Sequence, residues 1–309
     1  MNKKNVFARL LAVPVVIGVS TATLFLWQAL IAQQRPQIKQ TIKVDAASTK
    51  KLDAAQRESH SGSLIFAGSG GNLPILIPLV KEFRQSHPHV KIDVPASIGS
   101  SGGIQAAADG AIAIGLTSRP LKDEEKKLGL TVIPYAQTAL VIGAHPSVTD
   151  DGITTDELIQ IYQGKKSRWR DGHEIIVLTR DPEESSIKLL EQEIPGFKEA
   201  YAESQQAKRW STVYQDKEMN KLLTRTPYAI GLSEMGTIAI ERLPIKALSF
   251  NGMSPTPENV KSGSYPLVKT LSFVFLKHKL PSDAKTFLDF VQSQKGEKIL
   301  RANGYLPAK

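Results

Sequence analysis

Residues 64–83 read "LIFAGSGGNLPILIPLVKEF", and the fold turns on how that run is divided. Its first residues are apolar without alternation, as in a strand covered on both faces, and a glycine and serine stretch then breaks the run. Beyond the break Ile75, Leu76, Leu79, Val80 and Phe83 recur at helical spacing, so a helix follows. The unit is a strand, a glycine-rich turn and a helix. It returns in "VKIDVPASIGSSGGIQAAADG" (90–110), read as a strand, the turn "GSSGG" and a short helix stopped by Gly110. It returns again in "EIIVLTRDPEESSIKLLEQE" (174–193).

The rest of the chain keeps this grammar. "AIAIGLTSRPL" (111–121) is a strand running into a polar turn, and "LTVIPYAQTALVIGAHP" (130–146) is one long strand or two. "ITTDELIQIYQGK" (153–165) is a helix capped by Thr154 or Thr155, and "YAIGLSEMG" (228–236) is a strand and turn. "YPLVKTLSFVFLK" (265–277) is a strand, and the segment from Ser282 to Gly304 is a helix pair or one interrupted helix, capped by Ser282. Strands alternating with helices predict an α/β fold whose sheets are mostly parallel and flanked by helices. No solenoid period is visible, and roughly 250 residues of α/β divide into two lobes.

The 309 residues are 41% hydrophobic, enough for real cores, and contain no cysteine. That excludes a disulfide framework, a thiol nucleophile, a thiolate metal site and a lipid anchor on cysteine. After Lys3, Lys4 and Arg9, Leu10 to Ala32 carry no charge and suffice to span a bilayer. Leu30 makes a poor signal-peptidase site ending at Ala32, so residues 1–33 read as an uncleaved transmembrane helix with a cytoplasmic N-terminus and an exported domain, a cleaved signal segment being the alternative. The polar stretch 34–61 reads as a linker. The net charge of +9 sits largely at this end, because residues 1–61 hold nine Lys or Arg against three Asp or Glu. From Gly62 onward the excess is only three, with no basic stripe carrying aromatics, so nucleic acid is not expected as a partner.

Three turns share one design: "GSGGN" (68–72), "GSSGG" (99–103) and "RDPEESS" (180–186). Each leads from a strand into a helix, where free N–H groups and the partial positive charge of the helix end favour an anion. Glycine lets backbone approach closely, serine adds neutral donors, and Arg180 would supply the balancing charge. Ligands of open α/β sheets bind at the carboxyl ends of strands, so the three turns are expected to converge on one small oxyanion. An enzyme reading rests on Gly99 to Gly103, which fit the G-x-S-x-G elbow of serine hydrolases with Ser101 as nucleophile and His173 or His278 as base. "QGKKS" (163–167) lacks the leading glycine of a phosphate-binding loop and the hydroxyl directly after its first lysine. "HPH" (87–89) has no further ligand nearby, so neither metal nor cofactor is expected.

Taken in order and spacing, "GSGGNLP", "IGSSGGIQ", "LTSRPL", "ITTDELIQIYQGK", "YAIGLSEMG" and "KTFLDFVQSQKGEKILRANGYLP" resemble the phosphate-binding subunit of ABC importers, from Leu64 to Pro307. The resemblance implies a two-lobed Venus-flytrap: lobe I from residues 62–143 and 266–309, lobe II from 144–265, with crossovers near Leu140 to Ala144 and Tyr265 to Ser272. In the family's pattern Asn72, Leu73 and Ser100 answer to the first two turns, Arg180 to a strand-end arginine, and Glu184, Ser185 and Ser186 to the helix start after it; with the three turns this gives an expected ligand set of Ser69, Gly70, Asn72, Leu73, Ser100, Ser101, Gly102, Ser118, Arg119, Arg180, Ser185 and Ser186, with no catalytic residue. Two departures stand out. Ser118 replaces an aspartate that accepts the proton of hydrogen phosphate, which puts the rejection of sulfate in question, with Arg119 adding a charge beside it. "RDPEESSI" replaces R-x-D-G-S-G-T, which leaves Glu183 and Glu184 to face away, pair with Arg180 or spoil the site, and Ile187 without a hydroxyl.

The expected protein is thus a monomeric, membrane-tethered, extracytoplasmic solute-binding protein for phosphate or a similar oxyanion. Its expected partner is an ABC permease. An anion sensor or adaptor of the same fold is the alternative, and a serine hydrolase the third.

Overall fold

The computed structural model describes residues 63–308. The anchor expected at 1–33 and the linker at 34–61 lie outside them. Among the described residues no helix is long and apolar enough to cross a membrane.

Strand β1 (Ser63–Gly68) enters a single 3-10 turn at Gly70–Asn72 and then helix α1 (Leu73–Ser86), whose Pro74 sits in the first turn where no N–H is missed. Ile75, Leu76, Leu79, Val80 and Phe83 are all buried, each contributing about 1.5–3 kcal/mol by leaving water. After β2 (Lys91–Asp93), helix α2 (Gly99–Asp109) starts earlier than its sequence suggests. "GSSGG" is not a turn before the helix but its first turn, with Gly99 at a φ of +73°. The reason is packing: a Cβ on Gly103 would lie 2.7 Å from Gly68 Cα and 2.8 Å from the Ala67 carbonyl oxygen. One on Gly115 would strike the carbonyl of Gly103. Helix α2 therefore lies backbone to backbone on β1 and on β3 (Ile114–Thr117).

A short α3 (Asp123–Lys126) leads into β4 (Thr131–Ala144), one unbroken strand. Next come β5 (Gly152–Ile153) and α4 (Thr155–Tyr162), where Thr154 and Glu157 form a reciprocal capping box. The middle of the chain continues with β6 (Ile176–Arg180), α5 (Ser185–Glu193), α6 (Phe197–Gln206), β7 (Ser211–Val213) and α7 (Asp216–Arg225). It closes with β8 (Ala229–Glu234), α8 (Met235–Glu241), β9 (Lys246–Ala247), β10 (Ser249–Phe250) and α9 (Pro257–Ser262). Strand β11 (Val268–Phe275) returns, followed by α10 (Ser282–Val291), α11 (Gln294–Ala302) and β12 (Leu306–Pro307). The last helices form a pair. Ser293, not Ser282, provides a side-chain cap, accepting from Gly296 N at 3.3 Å.

The sheet runs β2-β1-β3-β11-β4-β8-β6-β7, with β9 and β12 also on β4. Its two wings are parallel, but β11 is antiparallel to β3 and β4, and β4 to β8. The sheet is thus mixed, which corrects the expectation of a mostly parallel one. The cause is topological: β4 carries the chain outward and β11 brings it back, and neighbouring strands of opposite direction must pair antiparallel. Strand β4 pairs with β11 through Ala139 and with β8 from Leu140.

Two large cores follow from this, with smaller clusters around Met219 and Ile104 beside them. Phe66, Leu79, Phe83, Leu116, Phe273 and Phe287 belong to one, and Leu140, Ile161, Ile187, Leu190, Phe197 and Tyr201 to the other. On β4 the change of core falls between Ala136 and Ala139, and on β11 between Val268 and Leu271. The fold is two-lobed, with the carboxyl ends of β1, β6 and β7 opening on one cleft.

Candidate functional site

The cleft holds about 430 Å³. One wall is Ser69, Gly70 and the start of α2 at Ser100 and Ser101, while the other is Arg180 to Ser185 and Tyr214 to Asp216. Six of the twelve residues expected at the site line it: Ser69, Gly70, Ser100, Ser101, Arg180 and Ser185.

Ser118 lines a neighbouring cavity rather than this cleft, and joins the lobes. Its Oγ is 2.7 Å from Ser69 Oγ and 3.0 Å from Ser185 Oγ, and its N–H donates to Ser100 Oγ at 3.3 Å. Four buried hydroxyls from four segments meet here without a formal charge. Hydroxyls both donate and accept, so the chain can reorient toward an oxyanion or toward each other.

The other expected residues have different work. Asn72 is fully buried and spent within its own lobe, accepting from Tyr135 OH at 2.8 Å and donating to the Thr117 carbonyl at 3.4 Å. Leu73 opens α1, and Gly102 packs against Ile98. Neither lines the cleft. Arg119 grips Glu125 with two bonds of 2.7 Å and donates to Ser101 Oγ at 2.8 Å, so its charge is balanced inside lobe I. It lines instead a neighbouring 680 Å³ cavity beside Val132 and Leu189. The Arg119 pair also holds the Glu125 carboxyl below its usual range. Ser186 lies beneath the cleft, where Lys269 Nζ donates to its Oγ at 3.2 Å.

Electrostatics centre on Arg180, whose side chain is 3% exposed. Its Nη2 donates to Asp216 at 2.9 Å and lies 3.8 Å from Glu184, while Nη1 is buried with no partner. Tyr201 OH donates to the Arg180 carbonyl, pinning the end of β6. Glu184 is the N-cap of α5. Its carboxylate accepts from Ser186 N at 2.7 Å and from Ser185 Oγ at 2.9 Å, with Lys269 Nζ 4.0 Å away. Burial works against that charge, but Lys269 and Arg180 outweigh it and hold the carboxyl down at about 2. Asp216 behaves oppositely. Loss of water, reinforced by Glu184, overcomes Arg180 and pushes it up to about 6. Lys269 is buried, and although burial opposes its charge, Glu234 at 2.7 Å and Glu184 keep the ammonium above its usual range.

Asp216, Lys269 and Glu234 were not among the expected residues. Lys269 did leave a signal, as the one charge inside the apolar run "YPLVKTLSFVF". Gly70 and Gly71 explain how the far lobe comes so close, since a Cβ on either would collide with Asp216 or Glu234 respectively.

The hydrolase geometry is not present. Ser101 Oγ is exposed in a helix and bonded to Arg119, while His173 stacks on Tyr228 at 3.9 Å and pairs with Asp171, and His278 lies in a surface turn. His87 stacks on Phe83 at 4.2 Å, which occupies the first ring of "HPH".

A family model for the PBP superfamily domain matches residues 53–295. Among curated proteins, the phosphate-binding protein PstS of Bacillus subtilis is 27% identical over 274 residues, covering 85% of this chain and 87% of its own. The phosphate-binding protein PstS of Borreliella burgdorferi is 27% identical over 281 residues, covering 88% and 99%. A crystal structure from Clostridium perfringens, described as a candidate phosphate ABC transporter substrate-binding protein with bound phosphate, superposes with a TM-score of 0.72 at 25% identity. That match covers 80% of this chain and all of the other.

Proposed function

The chain belongs to the PBP superfamily, and from that membership we propose that it is a solute-binding protein that captures inorganic phosphate for an ABC importer. Relatives named for phosphate binding along most of their length support the reading. The observation that carries it is Arg180, buried between the lobes with one guanidinium nitrogen free of any partner and hydroxyls on both sides. Arg180 balances the anion's charge, Ser100, Ser118 and Ser185 fix its geometry, and the amides at the start of α2 and α5 point donors at it. No bond is broken. Lobe I is residues 62–143 with 266–309 and lobe II is 144–265, the end of β4 being shared. The uncharged stretch from Leu10 to Ala32 tethers the monomer to the membrane with its lobes outside, within reach of a permease.

Calorimetric titration of the full-length chain, stripped of bound solutes, tests this with phosphate and sulfate. Phosphate should bind, Arg180→Ala should weaken it at least about 100-fold, and sulfate should bind comparably because Ser118 donates where an aspartate would repel. Absence of heat and of thermal stabilisation with either anion would overturn the phosphate reading. An anion sensor or adaptor is the second reading, favoured by the carboxylate of Glu184 at the start of α5.

A further inference from the structure

The phosphate reading assigns an oxyanion to Arg180, Ser185 and the N–H of Ser186, and those groups already converge on one carboxylate. Glu184 accepts from Ser186 N at 2.7 Å and Ser185 Oγ at 2.9 Å, with Arg180 Nη2 at 3.8 Å and Lys269 Nζ at 4.0 Å. We infer that Glu184 is a tethered competitor, a carboxylate built into the chain that fills the oxyanion subsite, so that phosphate enters only when the Glu184 side chain swings out. This rests on the phosphate reading of the cleft.

Three considerations carry it. An N-cap needs only a neutral acceptor such as serine or asparagine, so the full charge of Glu184 exceeds what capping α5 requires. Ser186 N and Ser185 Oγ each carry a single hydrogen, and both already donate it to Glu184, so a second oxyanion cannot take those bonds while the carboxylate stays. Finally, the charges that meet around Glu184 are Arg180 and Lys269 against Glu184 itself, Asp216 and Glu234. Phosphate added to that set meets net repulsion, whereas phosphate in place of Glu184 restores the cradle. The free Nη1 of Arg180 marks donor capacity that the two carboxylates leave unused.

The test compares the full-length chain with Glu184→Ser and Glu184→Gln by calorimetry with inorganic phosphate, with melting temperatures recorded in parallel. The glutamine variant keeps the side-chain volume and an acceptor for Ser186 N, so it decides alone if the serine variant does not fold. Both variants should bind phosphate at least about tenfold more tightly than the parent. Equal or weaker binding by both, with the parent binding well, would overturn the competitor and leave the phosphate reading intact. Binding by the variants alone would support the competitor and make the parent the sensor or adaptor. No binding by any of the three would overturn both.

Discussion

Gly103 shows how little room the first turns of this chain leave. A methyl group there would press on the backbone of Gly68 and Ala67, so Gly103→Ala should lower unfolding free energy by about 1–3 kcal/mol, measured by urea denaturation. Glu184 makes a prediction in pH. Its carboxyl is held near 2 in the folded chain, below the ordinary carboxylate range, so its stabilisation is present above about pH 4.5 and lost as pH falls toward 2. Glu184→Gln should therefore cost on the order of 2 kcal/mol at pH 6, and the gap to the parent should narrow as pH falls from about 4.5 and close only below about pH 2 in the same denaturation assay. Arg180 was legible in the sequence because it ends an apolar strand at a serine-rich turn. Asp216 was not, because the arginine it meets is 36 residues away and "YQDKEM" by itself reads as an acidic first helical turn.

At the scale of elements, the caps separate two serines that look alike in sequence. Ser293 accepts from Gly296 N at the start of α11, while Ser282 makes no side-chain cap. Ser293→Ala should cost about 1 kcal/mol and Ser282→Ala almost nothing in chemical denaturation. Helices announced themselves by spacing, as α1 did through Ile75, Leu76, Leu79, Val80 and Phe83, and by caps, as α4 did through Thr154. Strand direction did not. Nothing local in "YPLVKTLSFVFLK" says that β11 returns beside β4, so alternation alone suggested parallel pairing where the centre is antiparallel. The start of α2 was misplaced for a related reason: glycines that read locally as a turn are there for distant backbone.

For the whole molecule, the lobes already touch through the chain's own side chains: Ser118 to Ser185, Lys122 to Glu183, and Asp216 against Gly70. Small-angle scattering should accordingly show no measurable compaction when phosphate is added, and a large compaction would contradict a closure made by these contacts. The two-lobed plan was readable from the length and the strand and helix grammar, whereas the charge balance between the lobes was not, since it is made by residues from β6, α5, α7, β8 and β11 together. The glycine contacts among β1, α2 and β3 divide the labour at that wall of the cleft. Because Gly68, Gly103 and Gly115 hold those backbones together, the wall's shape is set by packing and not by what the cleft receives. A change of hydroxyl at Ser100 or Ser118 would alter what the wall recognises while the main-chain donors at the start of α2 stay in place.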